Sequence, residues 1–296
     1  MYGTEYEQGE TCERGYAFFS KAWKEMKFHC VKLEEVCRQK DAEFLGILND
    51  IKYGRNLQNV IAYLESNQNS NLMEEAPYLV GTNAKTDKIN QAHMRALNEK
   101  TEKKFWAIIE GDVTYEDIKN INFAKQSLVV NIGAKVMLTA NDVNGEYVNG
   151  TMGTIIDISK ERGDATCIQV LTDKGKKVDV YRYEREIERQ NIEEREEKDE
   201  NGKTVIVKKI VRKIVGSFKQ FPIKIAWAMS IHKSQGQTFG QVNIDPRCWD
   251  SGQFYVAVSR AESIAGIHFL APIIKQYIRT LSDEVIKILE LSLIHI

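Results

Sequence analysis

A polar cluster interrupts an apolar stretch near residue 230. The strand-like run "IKIAWAM" leads directly into five polar or small residues: Ser230, His232, Lys233, Gln235 and Gly236. A second polar pair, Thr82 and Asn83, follows the apolar run "APYLV" after one glycine. Open α/β sheets place their ligand sites at the carboxyl ends of strands. Both clusters are therefore candidate binding sites.

Two arginines stand apart from obvious partners. Arg38 lies just before a helix that Asp41 can cap, and Arg260 lies near the end of an otherwise apolar helix. A partly buried arginine without a local carboxylate often binds a phosphate that another molecule supplies, because its planar fork matches phosphate oxygens. The alternative is an ordinary salt bridge, for which the nearby acids are Glu34, Glu35 and Glu262. Spacing alone leaves both interpretations open.

The chain does not carry a complete phosphate-binding loop of its own. Such a loop reads G-x-x-x-x-G-K-S/T, because its backbone N–H groups wrap the phosphates while the lysine and the hydroxyl handle charge and magnesium. The tripeptide from Gly202 to Thr204 supplies the last three letters, but Glu197 stands where the first glycine is required. No metalloprotease motif, nucleophile elbow or metal-spaced Cys/His set occurs, so no metal site is predicted.

Composition narrows the class of protein. The 41 basic and 42 acidic residues give a net charge of −1, which argues against coating by nucleic acid but leaves room for a local basic groove. The five cysteines form no C-x-x-C pair, which indicates reduced thiols and a cytoplasmic protein. No apolar run approaches the length of a membrane span, so no membrane partner is expected.

Strands and helices alternate around the polar clusters. "DAEFLGILNDIKYG" predicts a helix capped by Asp41 and closed at Gly54. "TDKINQAHMRAL" predicts a helix after the strand "APYLV", and its expected inner face carries Ile89, Ala92, His93, Ala96 and Leu97. After residue 222, "IKIAWAM", "QVNIDP" and "GIHFL" predict strands, and "DSGQFYVAVSRA" predicts a helix. This alternation is typical of an open α/β sheet.

The middle of the chain follows the period of strands. "LVVNIGAKVMLTAND" and "GTMGTIIDI" predict strands, and a hairpin is expected to turn near 173–175. Residues 184–200 then carry nine acids and four bases, whereas 203–219 carry six bases and no acids. An Asn-Gly turn between them predicts two charged strands that pair acid against base. The alternative for the acidic half is a solvated, disordered run.

Several of these segments resemble the motifs of a helicase group. "IAWAMSIHKSQGQTF" resembles motif V, and "GQFYVAVSRAES" resembles motif VI, of the petite-integration-frequency type in the RecD-like branch of superfamily-1 helicases. "LEEVCRQKDAEFLGILNDIKYG" resembles motif IV of that group. With the blocks "TNAKTDKIN" and "GAKVMLTAND" through "YVNGTMGTI", the resemblance covers most of residues 30–272 in the family's order.

The resemblance implies a second RecA-like motor domain, an α/β fold of the P-loop NTPase type, interrupted by a small Src-homology-type β-barrel. The expected parts begin with the end of a first motor domain or a linker at 1–30, followed by the first part of the motor domain at 31–146. The β-barrel insert with its charged hairpin is expected at 147–221, the second part of the motor domain at 222–290 and an adapter-like end at 291–296. The last part, "LSLIHI", resembles an adapter sequence read through in frame. The alternative is an ordinary apolar helix end.

The resemblance also implies roles for individual residues. Arg38 and Arg260 match arginines that reach the γ-phosphate of ATP and stabilise its charge during hydrolysis. Three further residues match the nucleotide side: Gln235, Gly236 and Gln253. Contacts with single-stranded DNA fall on Thr82, Asn83, Ser230, His232 and Lys233. ATP and Mg²⁺ are expected to bind mainly to a first RecA-like domain, which the family pattern places before this chain.

The expected function is that of the C-terminal motor domain of an ATP-dependent 5′-to-3′ DNA helicase, inactive without a phosphate-loop domain. A stand-alone nucleic-acid-binding or regulatory module is the alternative. The presence of both Arg38 and Arg260 argues against it, because a pure DNA binder does not need γ-phosphate sensors. A third interpretation, an unrelated α/β enzyme, requires several ordered motifs to coincide by chance.

Overall fold

The computed structural model describes residues 23, 25, 26, 38–119, 126–160, 166–198, 204–281, 285 and 286. Four sequence expectations lie outside these residues. They concern most of the predicted tail 1–30, the acids Glu34 and Glu35, the Asn201-Gly202 turn and the adapter-like end 291–296.

Helices and strands alternate at both ends of the described chain, and strands dominate its middle. The helices with defined bounds are α1 (Ala42–Tyr53), α2 (Leu57–Asn67), α3 (Asn83–Arg95), α4 (Tyr115–Ile118) and α5 (Gln253–Val258). The strands are β1 (Tyr78–Val80), β2 (Lys103–Trp106), β3 (Ile108–Gly111), β4 (Ser127–Val130), β5 (Lys135–Leu138), β6 (Met152–Lys160), β7 (Thr166–Thr172), β8 (Lys177–Val180), β9 (Tyr183–Lys198), β10 (Thr204–Gln220), β11 (Ile223–Ile225), β12 (Ala228–Ser230), β13 (Val242–Ile244) and β14 (Ile267–Phe269).

A four-stranded parallel sheet forms the centre of the α/β part. Its strand order is β12–β1–β13–β14, and each neighbouring pair is parallel. Helices α1, α2 and α5 pack on this sheet through one apolar cluster that includes Phe44, Leu64, Leu79, Ile244 and Phe254. Because the strands are parallel, their carboxyl ends meet at one edge. The predicted open α/β sheet is confirmed.

Helix α1 begins and ends as its sequence predicts. The Asp41 carboxylate accepts hydrogen bonds from the backbone N–H groups of Glu43 and Phe44, at 2.8 and 3.2 Å. Gly54 ends the helix in the left-handed region, with φ 70°. The Asp41 cap thus begins the helix a few residues after Arg38.

The inner face of α3 agrees with the prediction at Ile89, His93 and Leu97, which are half-buried, but differs from it elsewhere. Asn90 is its buried residue, and its side-chain amide exchanges two hydrogen bonds with the backbone of Ala228, at 2.9 and 2.8 Å. Ala92 and Ala96 are exposed. The helix therefore packs on the backbone of edge strand β12 through a polar side chain, because that edge has N–H and C=O groups to satisfy. His93 is half-buried and stacks on Trp227, with ring centroids 5.3 Å apart.

The β-rich middle of the chain is built on an antiparallel sheet in the order β11–β5–β6–β7–β8. A separate apolar cluster fills it, including Val136, Ile155, Val170, Val180 and Phe221. Strands β5 and β11 lie outside the predicted insert range 147–221 but pair within this sheet. In the part of the chain that the structure describes, β8 does not pair with β11 and no closed barrel forms. The Src-homology-type barrel and the domain boundaries remain predictions.

A long charged hairpin extends from this β-rich region. Strands β9 and β10 pair antiparallel, and acids stand opposite bases at Glu193↔Lys209 and Glu194↔Lys208. Nearer its base, Lys219 and Glu184 form an ion pair at 3.4 Å. The acidic half is a strand, so the disordered alternative is wrong for the residues described. Farther along β9, Arg189 binds the carboxylate of Asp117 at 2.8 Å.

Within the described ranges, none of the helices combines the length and the apolar character that crossing a bilayer requires.

Candidate functional site

Arg38 lies against the chain just beyond helix α5. Its Nε donates to the Thr238 hydroxyl at 2.8 Å, and its Nη1 donates to the Ser259 carbonyl at 3.1 Å. The neighbouring Gln39 is buried and donates to the Ser259 and Ala261 carbonyls at 3.0 and 2.9 Å. The segment that precedes α1 is therefore held on the end of α5, and Arg38 points into the same region as Arg260.

Arg260 is half-buried, and its hydrogen-bond partners among the described residues are all neutral oxygen atoms. Its Nε donates to the Val256 carbonyl at 3.0 Å, Nη1 to the Gln237 carbonyl at 3.4 Å and Nη2 to the Ser259 hydroxyl at 2.8 Å. These contacts orient the guanidinium without neutralising its charge. A hydrogen bond to a charged acceptor is stronger than one to a neutral acceptor, so an anion has an advantage at this position.

The two arginines carry unneutralised charge. In the described part of the chain, neither lies within ion-pair distance of a carboxylate, and the salt-bridge alternative with Glu262 is not observed. Burial, and then the positive charge of Arg38, lower the pKa of Arg260 below its ordinary value. Two adjacent guanidinium groups with this surplus charge form a site that suits a multiply charged anion.

A second group of predicted residues lies at the carboxyl edge of the sheet. Thr82 and Asn83 follow β1, and the Thr82 hydroxyl accepts the N–H of Lys85 at 3.3 Å, which caps α3. Both residues are exposed. The first turn of a helix leaves backbone N–H groups without partners, so it favours a negatively charged ligand.

The polar cluster after β12 lies beside this cap, since Ser230 pairs in register with Val80 of β1. Ser230 is buried, whereas His232 and Lys233 are exposed on a 3₁₀ turn. The His232 Nε2 lies 3.8 Å from the Asp250 carboxylate. The structure thus brings Thr82, His232 and their neighbours to one edge, as predicted for a ligand site.

A groove of about 590 Å³ is lined by Asn83 and Lys233, one residue from each of the two clusters. Its walls are α3 on one side and the segment 223–229 with β4 on the other. Its lining includes Asn83, Asn90, Arg95, Ile225, Met229 and Lys233. Three basic residues of the lining, Arg95, Lys224 and Lys233, stand beside two acids, Asp87 and Glu102, and several apolar side chains.

The three residues predicted on the nucleotide side have different surroundings. Gln235 is exposed, and Gly236 adopts φ +86° with open space around its Cα. Gln253 is buried. Its amide donates to the Gly81 carbonyl at 3.3 Å and accepts the Trp249 N–H at 3.0 Å. Gln253 thus links the start of α5 to the end of β1, while Arg260 lies just beyond the other end of α5.

No protein-family profile matches the chain. Individual relatives nevertheless match it over most of its length. The chain is 29% identical over 263 residues to the ATP-dependent DNA helicase Pif1 of Bdellovibrio bacteriovorus, covering 88% of this chain and 54% of that protein. Bacteroides sp Pif1 in complex with ADP-AlF4 is similar with a TM-score of 0.70 and 27% identity, covering 93% of this chain and 59% of that chain. The chain belongs to the Pif1 helicase family.

A second solved structure of a Pif1 helicase shares the fold. Bacteroides Pif1 in complex with ADP-AlF3 and ssDNA has a TM-score of 0.66 and 25% identity, covering 94% of this chain and 60% of that chain. The chain spans about half the length of the curated Pif1 relatives that it matches first, at 54%. The predicted RecA-like α/β helicase fold is confirmed for this Pif1-family chain.

One charged cluster of the Pif1-family chain was not predicted. Asp245, at the end of β13, is buried and accepts hydrogen bonds from Lys85 and from Arg247, the latter at 2.6 and 3.0 Å. Burial by itself raises the pKa of Asp245, but the hydrogen bonds from Arg247 and Lys85 outweigh it and hold the pKa below its ordinary value. The signal in the sequence is an aspartate directly after a strand, but its partner Lys85 lies far away along the chain.

Asp245 is expected to contribute stability that depends on pH. A carboxyl group with a depressed folded-state pKa stabilises the fold above its unfolded pKa of about 3.9, and this contribution is lost as the pH falls through the folded value. Asp245→Asn should therefore lower the melting temperature at pH 7, and its difference from wild type should shrink below about pH 4. Thermal melts across this range measure the effect. Asp179→Asn, an exposed carboxylate on β8, is the control, and a constant Asp245→Asn difference at all pH values contradicts the assignment.

Proposed function

We propose that this chain is the C-terminal motor part of an ATP-dependent 5′-to-3′ DNA helicase. The observation that carries the proposal is the convergence of Arg38 and Arg260 on the end of α5, both without a carboxylate partner among the described residues. Membership in the Pif1 family supports it. In this proposal the chain provides one wall of a nucleotide cleft and one wall of a DNA track.

On the nucleotide side, Arg38 and Arg260 are proposed to hold the γ-phosphate of ATP. Neutral oxygens orient both guanidinium groups, and the N–H groups that these contacts do not use are available for a charged acceptor. Positioned cations of this kind stabilise the charge that develops on a transferring phosphoryl group. Gln235 and Gly236 are proposed to border the cleft, and Gln253 to act indirectly by fixing the start of α5.

The opposite wall of the cleft is proposed to belong to a first RecA-like domain, which acts as a partner of this chain. That domain would hold most of the nucleotide and the Mg²⁺ ion. Among the described residues, no group of three or more His, Cys, Asp or Glu side chains is placed to hold a metal ion. A cytoplasmic location belongs to the same proposal, because Cys167 and Cys248 are free thiols.

On the DNA side, the carboxyl edge and the groove are proposed to follow a single strand. Thr82 and Asn83 would meet backbone phosphates at the start of α3, and His232 and Lys233 would meet them across the groove. Ser230 is buried, so in this proposal it positions the turn. Contacts of this kind bind the backbone and tolerate any sequence.

Binding of single-stranded DNA tests this side directly. Lys233→Ala is expected to weaken the affinity for an oligo(dT) strand about three- to tenfold and to reduce the slope of log affinity against log salt by about 0.7, since one phosphate contact is lost. Fluorescence anisotropy at several salt concentrations measures both quantities. Lys174→Ala, in the exposed β7–β8 turn, should leave them unchanged. Equal behaviour of the two variants, or no binding by wild type, would overturn the assignment.

A further inference from the structure

Trp249 presents a large aromatic surface beyond the end of β13. Its side chain is 55% exposed, whereas the preceding Cys248 is buried. Among the described residues, no aromatic ring stacks on the indole and no cation lies over its face. Single exposed apolar side chains are common on proteins. The meaning of this one therefore depends on how it is held and where it lies.

The indole is held at one edge. The backbone N–H of Trp249 donates to the buried Gln253 side chain at 3.0 Å, and the indole Nε1 donates to the Gly81 carbonyl at 3.4 Å. The same edge of the ring lies beside Gly81, with Cδ1 and Nε1 3.6 Å from the position that a Cβ would take there. A side chain restrained in this way loses little entropy when a ligand covers it.

Trp249 adjoins both DNA-side clusters. Gly81, beside its ring, directly precedes Thr82 at the start of α3. Asp250, its neighbour along the chain, lies 3.8 Å from the His232 imidazole. The parallel order of β12, β1 and β13 places all three loops at the same edge of the sheet.

The charged side chains near Trp249 include exposed cations that could contact a phosphate backbone. Two cations, Lys85 and Arg247, share the single buried carboxylate of Asp245, and their side chains remain 43% and 49% exposed. This group therefore has a surplus positive charge. Asp250 is an exposed acid at the same edge and balances this surplus, so the edge presents two exposed cations beside one exposed carboxylate. A base on the indole would place its sugar-phosphate chain beside these exposed cations.

We propose that the indole of Trp249 is a stacking platform for one unpaired base of a bound single strand. The inference rests on the proposed DNA-binding function and adds a contact to the base where the other residues contact the backbone. Every base has a π face, so the platform tolerates any sequence. Trp249 is a planar aromatic side chain restrained at one edge, more than half exposed, and placed between groups that are proposed to contact phosphates, and stacking on a base requires these features.

The affinity of the full 296-residue chain for oligo(dT) tests the platform. Trp249→Ala is expected to weaken binding about tenfold, whereas Trp249→Phe keeps a ring and should bind within about twofold of wild type. Trp106→Ala is the matched control, because Trp106 is 62% exposed but lies in the β-rich region. Thermal melts of each variant establish that the fold is retained. Equal affinity of Trp249→Ala and wild type overturns the inference.

Two further readouts separate stacking from a structural role. Replacing bases of the oligonucleotide by abasic sites should weaken the wild type clearly more than Trp249→Ala, since only the wild type has a stack to lose. Bound DNA should also quench the tryptophan fluorescence of wild type and of Trp106→Phe but not that of Trp249→Phe. If the wild type does not bind DNA, the proposed function fails and the platform with it. If Lys233→Ala weakens binding and Trp249→Ala does not, the platform alone is overturned.

Discussion

The purified chain is expected to hydrolyse ATP no faster than buffer, and to gain turnover when a phosphate-loop domain is added. The reason is that the chain carries no complete G-x-x-x-x-G-K-S/T loop, so its backbone cannot wrap the β- and γ-phosphates. A suitable added domain is the part of the Bdellovibrio relative that this chain does not match, since the match covers 54% of that protein. Phosphate release with saturating single-stranded DNA measures the gain.

Contaminating enzymes are the main source of error in this experiment. The same preparation with Arg260→Ala provides the control, because a contaminant is indifferent to that substitution. Robust turnover by the chain alone, lost in Arg260→Ala, would show a complete active site in this chain and contradict the proposal. If the mixture shows no ATP turnover although both parts bind nucleic acid, the proposed division of the nucleotide cleft between two domains is contradicted.

Arg260→Ala in that reconstituted motor is expected to lower kcat roughly 10³-fold or more, while the affinity for single-stranded DNA changes little. The large effect follows from the surplus charge of Arg260, which only neutral oxygens contact in the described structure. DNA binding should survive, because the proposed DNA-side residues lie at the other end of α5.

Two further variants test whether positive charge alone is sufficient and whether the effect is specific to this arginine. Arg260→Lys keeps the charge but loses the fork and is expected to recover only a small part of kcat. Arg55→Ala removes an exposed arginine that lies over the Tyr53 ring and should leave kcat unchanged. Steady-state kinetics and anisotropy on the same samples give both quantities. Parallel losses of kcat and DNA affinity in Arg260→Ala would reassign this arginine to a structural role.

Local signals in the sequence predicted much of the fold. Asp41 and Gly54 mark the ends of α1, and both act as the sequence indicates. The opposite charges of β9 and β10 predicted their antiparallel pairing, which the structure shows for the residues described. Such signals involve neighbours along the chain, and this is why sequence analysis finds them.

Contacts between distant segments were harder to predict. Asn90 is buried because the backbone of β12 needs hydrogen-bond partners, and no pattern within α3 reveals that edge. Gln253 matched a nucleotide-side motif, but its amide binds the end of β1 and the Trp249 loop. The roles proposed for Arg38 and Arg260 came from the family resemblance, since spacing alone left a salt bridge open.

The position of the β-rich region within the chain has a consequence for folding. Val80 and Ser230 are register partners in neighbouring strands, yet the whole β-rich region lies between them along the chain. Closing a long flexible loop costs entropy that grows with its length, and non-local pairing slows folding. A β-rich region that has already folded would bring its two ends together and shorten the effective loop. We therefore expect this region to gain protection from hydrogen exchange before the parallel sheet does, so that the polar cluster after β12 is among the last parts of the site to form.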